Sequence, residues 1–402
     1  MFAAHQLHGA RRIFCGETEK LTSISLWWFF SCHTGSEVVL QPYEQKGAPN
    51  NQASKNHKKE RASCQPVLDH FDQQYSQELG ELWESARSVL LDPHSWQYGV
   101  MLNRFTAVTE ITQILQSQGF SRFLLRTDVS TLLSDGPSPV SNSKYQAHRP
   151  GHLKQYYLLN AASLLPVLAL QVRDGEKVLD LCSAPGGKAL AIMQCATPAL
   201  LCCNEPDPHR RDWLAKTLES YLPHSLNSRV IVSAQDGRHF GHSEALTYDK
   251  VLVDAPCSND RSWLYSCSSQ QGEQRLRGRA KLPVLQAQLL RSALSAVRPG
   301  GVVVYSTCTL SSSENYAVVE TVLNDCPETE PEDLWEEIAI PLSKYFVFSA
   351  AHLGHGQTPY KPSLQPQNST VSSYHHRLGI LVVPQPGMTW GPMFLSRIRR
   401  KK

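Results

Sequence analysis

Residues 178–193 read VLDLCSAPGGKALAIM, an apolar run that meets a glycine-rich turn and then shows a helical pattern. Gly186 and Gly187 let the backbone reach conformations that other residues avoid, and they let a ligand approach the backbone closely. The stretch therefore predicts a strand, a tight turn and a helix, with a ligand bound at the turn.

Short β-favouring runs recur along the rest of the chain, separated by helix-length segments. They are KVLDL, ALLCC, RVIVS, KVLVD and GVVVYS, and the last two strand-like runs, RLGILVVP and GPMFLSRIRR, have no long helix between them. The alternation predicts an α/β fold, a Rossmann-like parallel sheet with helices on both faces. The two last runs predict a C-terminal antiparallel hairpin, which is the form of the S-adenosylmethionine (SAM)-dependent methyltransferases.

The chain divides into three predicted regions at changes of composition. Residues 1–65 are a leader and polar linker, residues 66–150 are a mainly helical region and linker, and residues 151–402 form the α/β domain. Apolar residues three or four apart from Val67 to Val89 predict helix, and the pattern stays helical or mixed to about residue 120. The third region opens on YYLLNAASLLPVLAL, which reads as an apolar helix.

Bulk composition bounds the possible functions. The 402 residues are 41 % hydrophobic and 19 % charged, which is enough apolar material for a large core. A net charge of +3 permits a polyanionic partner without requiring one. The 11 cysteines show no paired C-x₂-C spacing, so neither a metal site nor a closed disulfide framework is expected. No run of 18 apolar residues predicts a membrane-spanning helix.

The N-terminus resembles a targeting segment. It carries Arg11 and Arg12 and has no acidic residue before Glu17, which is compatible with a mitochondrial transit peptide. The run SISLWWFF at residues 23–30 leaves two alternatives, a secretory signal or a leader without a fold.

Three ligands are conceivable for the glycine turn. A triphosphate loop needs glycine and Ser or Thr where Cys182 and Ala189 stand, and the nicotinamide pattern G-x-G-x-x-G is absent. A plain strand–helix cap remains possible, but Glu205 follows the second strand and can accept hydrogen bonds from both hydroxyls of a ribose. Asp236 follows the third strand and can face an adenine amino group.

Two cysteines follow two later strands. Cys257 lies in KVLVDAPCSND and Cys308 in VVYSTCTL, and parallel strands bring such positions to one edge of a sheet. For Cys308 the alternative is a packing cysteine, but the polar residues around it favour chemistry. Cys257 follows a proline in a loop, where catalytic groups concentrate.

Three blocks, DLCSAPGGK, DAPCSNDRSW and YSTCTLSSSEN, resemble the signature blocks of the Nop/Sun-type RNA 5-methylcytosine methyltransferases. They occur in the family's order, and the resemblance runs from about residue 65 to the C-terminus. The stretches YYLLNAASLLPVLAL and GEKVLDLCSAPGGK resemble a mitochondrial branch that methylates the wobble cytosine of methionine tRNA. Leu159-Asn160 stand where many members carry Gln-Asp. The resemblance implies SAM as cofactor, tRNA as partner and the mitochondrial matrix as location.

The resemblance also implies roles for individual residues. Cys308 adds to C6 of the cytosine, Cys257 assists release, Asp254 holds the base by N3 and its amine, and Lys188 hydrogen-bonds the base carbonyl. The residues expected to line the SAM pocket are Cys182, Ser183, Ala184, Pro185, Gly186, Gly187, Lys188, Glu205, Arg210, Asp236 and Asp254.

The segment RLRGRAKLP lies in a predicted loop after Cys257 and carries Arg275, Arg277, Arg279 and Lys281. Phosphate contact with RNA is the preferred interpretation, and a merely solvated face is the alternative. Two other functions stay open. The first is a DNA cytosine-5 methyltransferase in which the thiol of Cys257 attacks, and the second is a non-catalytic RNA-binding assembly subunit.

Overall fold

The structure is a computed structural model that describes residues 29–32, 63–123, 151–265, 269–350 and 378–402. The predicted leader and linkers lie almost entirely outside the described residues. The strands are β1 (Phe29–Cys32), β2 (Tyr98–Leu102), β3 (Ser121–Arg122), β4 (Tyr156–Leu159), β5 (Lys177–Asp180), β6 (Leu200–Asn204), β7 (Val230–Ser233), β8 (Tyr248–Asp254), β9 (Val297–Thr307), β10 (Thr329–Glu332), β11 (Phe348–Ala350), β12 (Ile380–Val382) and β13 (Met393–Arg400).

Helices cover both faces of the larger sheet and the N-terminal part. They are α1 (Gln65–Leu79), α2 (Glu81–Leu90), α3 (Thr109–Ser117), α4 (Leu165–Leu170), α5 (Gly187–Cys195), α6 (Pro208–Tyr221), α7 (Phe240–Ser243), α8 (Asp260–Trp263), α9 (Ser269–Arg279), α10 (Leu282–Ala296), α11 (Tyr316–Asp325) and α12 (Ile340–Leu342). Among the described residues, no helix is long and apolar enough to span a bilayer.

The larger sheet has the strand order β7-β6-β5-β8-β9-β13-β12-β11. Strand β10 pairs with the C-terminal half of β13. Strands β5 to β9 pair in parallel, and β13 and β12 return antiparallel beside β9. The predicted fold class, a Rossmann-like α/β sheet with a C-terminal antiparallel hairpin after a helical N-terminal part, is confirmed.

Alternate residues of the central strands bury on opposite faces of this sheet. Val178 and Leu252 join one hydrophobic cluster, whereas Leu179, Val251 and Val253 join the other. This two-sided burial explains why the strands are continuous apolar runs and not alternating ones. Helix α1 packs against the second cluster through four buried residues, Val67, Leu68, Phe71 and Tyr75.

Two expected helical stretches contain strands. Within YYLLNAASLLPVLAL, the first residues form β4, and only Leu165–Leu170 is α-helical. Within PHSWQYGVMLNRF, Tyr98–Leu102 is β2, which pairs antiparallel with β4. Short apolar runs fit a strand or a helix equally well, and here the pairing with a neighbouring strand decides.

Candidate active site

The strand order reverses between β5 and β8, and a crevice opens beyond the carboxyl ends of these strands. Such a switch point is where open parallel sheets bind ligands. The cavity measures about 190 Å³, and its lining includes Tyr157, Asn160, Asp180, Ser183, Lys188 and Asp254.

The glycine turn closes one side of this cavity. Gly186 has φ 106°, a left-handed conformation that side chains rarely adopt, and it begins α5. A Cβ at Gly187 would lie 3.0 Å from a ring carbon of Tyr157, so the turn also needs glycine for close packing. Cys182 lies at the start of the turn, and burial raises the pKa of its thiol.

Asp180, the last residue of β5, is a site residue that the sequence analysis missed. Its Oδ2 accepts a hydrogen bond from Ser183 Oγ at 2.9 Å, and its Oδ1 has no donor although it is buried. Burial raises the pKa of this carboxyl to about 7. A buried acceptor without a donor fits a ligand that supplies one. Its position, at the strand end just before the turn, was the available signal.

Glu205 lies at the end of β6 and is 2 % exposed. Its Oε1 accepts from the backbone N–H of Asp207, while Oε2 lies 3.2 Å from Arg210 Nη1 and has no hydrogen-bond donor. Arg210 also donates to Ala184 O at 3.0 Å, so Arg210, and not Arg211, reaches the glycine turn. The open carboxylate oxygen fits the predicted ribose contact.

Asp236 follows β7 and is not among the residues that line the cavity. Its two carboxylate oxygens accept from the guanidinium of Arg238. These hydrogen bonds lower the pKa of Asp236 to about 2. Its predicted contact with adenine stays a prediction.

Lys188 and Asp254 form an ion pair inside the cavity. Lys188 Nζ donates to Asp254 Oδ2 at 2.7 Å, and Ser306 Oγ donates to Asp254 Oδ1 at 2.9 Å. Burial alone would lower the pKa of Lys188, but the charge of Asp254 raises it on balance. A fixed cation and carboxylate side by side can bind a carbonyl and an amine on one ring edge.

The two predicted thiols meet beside this pair. Cys257 Sγ lies 3.2 Å from Cys308 Sγ, and the backbone N–H of Cys308 donates to Cys257 Sγ at 3.3 Å. The hydrogen bond with Cys308, together with burial, raises the pKa of Cys257 well above its usual value.

Arg279 corrects the predicted basic cluster. It is 7 % exposed, its Nε lies 3.2 Å from Glu314 Oε1, and its Nη2 donates to Tyr75 Oη at 2.8 Å. Residues 275–279 form the end of helix α9 and not a loop, and Gly272, Leu276 and Arg279 face inward at a spacing of four and three residues. Arg279 is thus an interior residue and cannot contact phosphate.

The other basic residues of this segment are exposed. The guanidinium of Arg275 lies 6.0 Å from the ring centre of Trp263, and Arg277 pairs with Glu273 at 3.4 Å. Lys281 is exposed at the start of α10. Their contact with RNA stays a prediction. No cluster of three metal-ligating side chains occurs in the part of the chain that the structure describes.

Comparison with known proteins identifies close relatives. The family described as 16S rRNA methyltransferase RsmB/F matches residues 167–346. The tRNA (cytosine(34)-C(5))-methyltransferase, mitochondrial, of Danio rerio is 52 % identical, over 85 % of this chain and 89 % of that protein. The protein of the same name from Mus musculus is 46 % identical, over 84 % of this chain and 91 % of its own.

A second group of relatives is more distant. The 5-cytosine rRNA methyltransferase NSUN4 of Bos taurus is 34 % identical, over 86 % of this chain and 93 % of its own. Among solved structures, a methyltransferase homolog from Pyrococcus horikoshii superposes with a TM-score of 0.53 at 21 % identity, over 84 % of this chain and 98 % of that one. That likeness supports the fold.

Proposed function

The chain belongs to the RsmB/F, or Nop/Sun-type, family of SAM-dependent RNA cytosine-5 methyltransferases, and we propose that its substrate is cytosine 34, the wobble base, of a mitochondrial tRNA. The two relatives that share 46 % and 52 % identity carry that target in their names. The rRNA methyltransferase of Bos taurus, at 34 % identity, is more distant, so tRNA is favoured over rRNA as substrate.

The SAM pocket is assigned to the glycine turn and the residues around it. Asp180 Oδ1, which is buried without a donor, and Glu205 Oε2, which pairs with Arg210 but accepts no hydrogen bond, fit ligand donors, and the side chain of Glu205 fits a ribose. SAM, when bound, supplies an electrophilic methyl group. The turn at Gly186 and Gly187 lets the backbone approach that ligand.

Cytosine C5 is a poor nucleophile until a thiolate adds to C6. We assign this attack to Cys308, whose sulfur forms the bond to C6 while the ring electrons move to C5. Asp254 and Lys188 hold the base by N3, its amine and its carbonyl. After methyl transfer the C5 proton passes to a base, its bonding electrons restore the C5–C6 double bond, and the bond between C6 and sulfur breaks to leave the Cys308 thiolate. Cys257, whose Sγ lies 3.2 Å from Cys308 Sγ, assists this release.

The alternatives predict other arrangements of the thiols. In a DNA-type enzyme Cys257 would attack, and Cys308 would have no part in the reaction although its sulfur lies 3.2 Å from that of Cys257. A non-catalytic subunit would not need two thiols within 3.2 Å beside an ion pair that lines the cavity. That contact between the two sulfurs is the observation that carries the proposal.

A methylation assay tests the substrate. Purified protein is incubated with labelled SAM and transcripts of mitochondrial tRNAs that carry C34, and the same transcripts with U34 serve as controls. We expect label only in the C34 transcripts and a bisulfite-resistant cytosine at position 34. Methylation of the U34 control, of rRNA fragments alone or of DNA would contradict the proposal.

Location and RNA docking complete the proposal. The relatives named mitochondrial support a mitochondrial site, and we place the protein in the matrix because tRNA is there. Residues 1–65 would be the targeting leader, and a reporter fused to them should enter mitochondria. A reporter that stays in the cytosol or is secreted would remove the targeting assignment.

Residues 66–150 and the exposed Arg275, Arg277 and Lys281 would bind the tRNA, with residues 151–402 as the methyltransferase domain.

A further inference from the structure

The residues that follow the two cysteines are joined to each other. Ser258 comes directly after Cys257, Thr309 comes directly after Cys308, and Ser258 Oγ lies 3.0 Å from Thr309 Oγ1. Both side chains are fully buried. The two hydroxyl groups therefore bring the two thiol loops into contact.

The carboxylate of Glu314, which follows Cys308 in the chain, accepts hydrogen bonds from the loop that carries Cys257. Glu314 is fully buried, its Oε2 accepts from the backbone N–H of Ser258 at 2.9 Å, and its Oε1 accepts from Ser258 Oγ at 2.5 Å. Gln286 Nε2 donates to Glu314 Oε2 at 3.0 Å and also to Pro256 O at 2.9 Å. The residues on both sides of Cys257 are thus fixed by this one carboxylate and its partner.

A carboxylate from the Cys257 side holds the Cys308 loop in return. Asp260 is fully buried, its Oδ1 accepts from Thr309 Oγ1 at 2.8 Å, and its Oδ2 accepts from the backbone N–H of Leu310 at 2.7 Å. Each of the two thiol loops therefore contributes one carboxylate that accepts hydrogen bonds from the other loop. Helix α1 joins the network, because Tyr75 Oη donates to Asp260 Oδ1 at 2.9 Å.

Arg279 compensates the two buried negative charges. It lies 3.2 Å from Glu314 and donates to Tyr75, which contacts Asp260. Buried carboxylates are costly unless they are paired and hydrogen-bonded, so these contacts to Glu314 and Asp260 favour one arrangement of the loops.

We infer that Glu314 and Asp260 are positioning residues of the reaction, which fix the separation of the two thiols through Ser258 and Thr309. The inference rests on the proposed function, since it assigns attack to Cys308 and release to Cys257. None of these residues lines the cavity. They act by keeping Cys257 at the place from which it assists release.

The release step is the sensitive one. Cys308 has its own place at the end of β9, whereas Cys257 reaches its partner only through the loop that Glu314 and Ser258 hold. A displacement of about 1 Å in a reacting group costs up to about a hundredfold in rate. We call the contacts among Ser258, Thr309, Glu314 and Asp260 the brace. Loss of the brace therefore slows release more than attack, and a covalent protein–RNA adduct accumulates.

Ser258→Ala is the principal test, because it removes the hydroxyl that donates to Glu314 and contacts Thr309, and it adds no bulk. Thr309→Val removes the facing hydroxyl at nearly constant volume, and Glu314→Gln changes the carboxylate. Glu337→Gln is the control, because Glu337 is embedded in a comparable pair with Arg397, at 2.7 Å, away from the thiols. All variants and the unmodified chain are assayed at one temperature, at least 10 °C below the lowest of their melting midpoints, so that altered stability does not decide the result.

Three quantities are measured: methyl transfer in a single turnover, the lifetime of the adduct on a denaturing gel, and KM for tRNA. We expect Ser258→Ala to lengthen the adduct lifetime at least about tenfold, with methyl transfer and KM changed much less. Thr309→Val should also lengthen the adduct lifetime, and it should slow methyl transfer as well, because Thr309 directly follows Cys308. Glu337→Gln should behave like the unmodified chain.

Cys257→Ala separates the two proposals. If it accumulates adduct while Ser258→Ala and Thr309→Val release product at the unmodified rate, the brace is only structural and the inference fails. If the unmodified chain methylates no tRNA and no variant forms an adduct, the proposed function itself fails. If Ser258→Ala changes nothing but its melting midpoint, the positioning role is likewise excluded.

Discussion

Cys257 and Cys308 lie 51 residues apart in the chain, and their Sγ atoms lie 3.2 Å apart in the fold. The separation is short because β8 and β9 are neighbouring parallel strands and each cysteine lies just beyond the end of its strand. Two thiols in contact match a reaction that must both form and break a bond between sulfur and carbon.

Replacement of each of the two cysteines by alanine, one at a time, distinguishes their roles. Cys308→Ala should give neither methylation nor adduct, because no sulfur adds to C6. Cys257→Ala should transfer methyl and then stall, so a slow band should appear on a denaturing gel when SAM is present. The reverse pattern, with the adduct lost in Cys257→Ala, would assign the attack to Cys257 as in a DNA-type enzyme.

Sequence reasoning placed the two thiols at one edge of the sheet because sheet topology determines that edge. Two apolar runs that form adjacent parallel strands end at the same edge, and this holds whatever the loops do beyond them. The brace beneath the thiols was beyond such reasoning. It depends on how the loop from Pro256 to Asp260 turns, including Asn259 in the left-handed region at φ 42°. Nothing in a pattern of polar residues specifies those angles.

The SAM pocket gives a prediction for binding. Glu205→Ala should weaken SAM binding by about 1–3 kcal/mol, because the ribose hydroxyls lose their acceptor. Asp212→Ala, an exposed carboxylate on α6, is the matched control and should leave affinity unchanged. Isothermal titration calorimetry measures both. Equal affinities for Glu205→Ala and the unmodified chain would remove Glu205 from the pocket.

The exposed face of α9 gives a prediction for RNA binding. The double variant Arg275→Ala, Arg277→Ala should bind tRNA more weakly, and its log–log salt slope should be shallower by about one for each lost phosphate contact. Arg298→Ala is the control, since Arg298 is exposed at the opposite end of β9. An unchanged slope in the double variant would make this face a solvated surface.

Arg279 shows why charge runs alone are an unsafe guide to such surfaces. Four basic residues within seven positions look equivalent in sequence, yet a helix presents only some of them to solvent. Gly272 marks the packed face, because a Cβ there would lie 2.3 Å from Cys64 Sγ. Arg279 lies seven residues later on the same face of the helix, where its guanidinium pairs with the buried carboxylate of Glu314.

Asp180 gives a prediction for stability as a function of pH. Burial raises the pKa of its carboxyl from 3.8 to about 7 in the folded chain. The folded state therefore holds a proton that the unfolded state has already released above about pH 4. The stabilisation from this proton is complete below about pH 4 and is lost as the pH rises through about 7.

Asp180→Asn isolates this contribution, because asparagine keeps an acceptor for Ser183 Oγ and does not ionise. The stability of the variant relative to the unmodified chain should rise between pH 4 and pH 7 by on the order of 4 kcal/mol, which is the free energy of three pKa units. Urea unfolding of both chains at several pH values, without SAM, measures this difference. Because both chains share every other titrating group, their effects cancel. A difference that stays constant between pH 4 and pH 7 would show that Asp180 ionises in the folded chain as it does in water, and the unpaired oxygen of Asp180 would then have to be solvated.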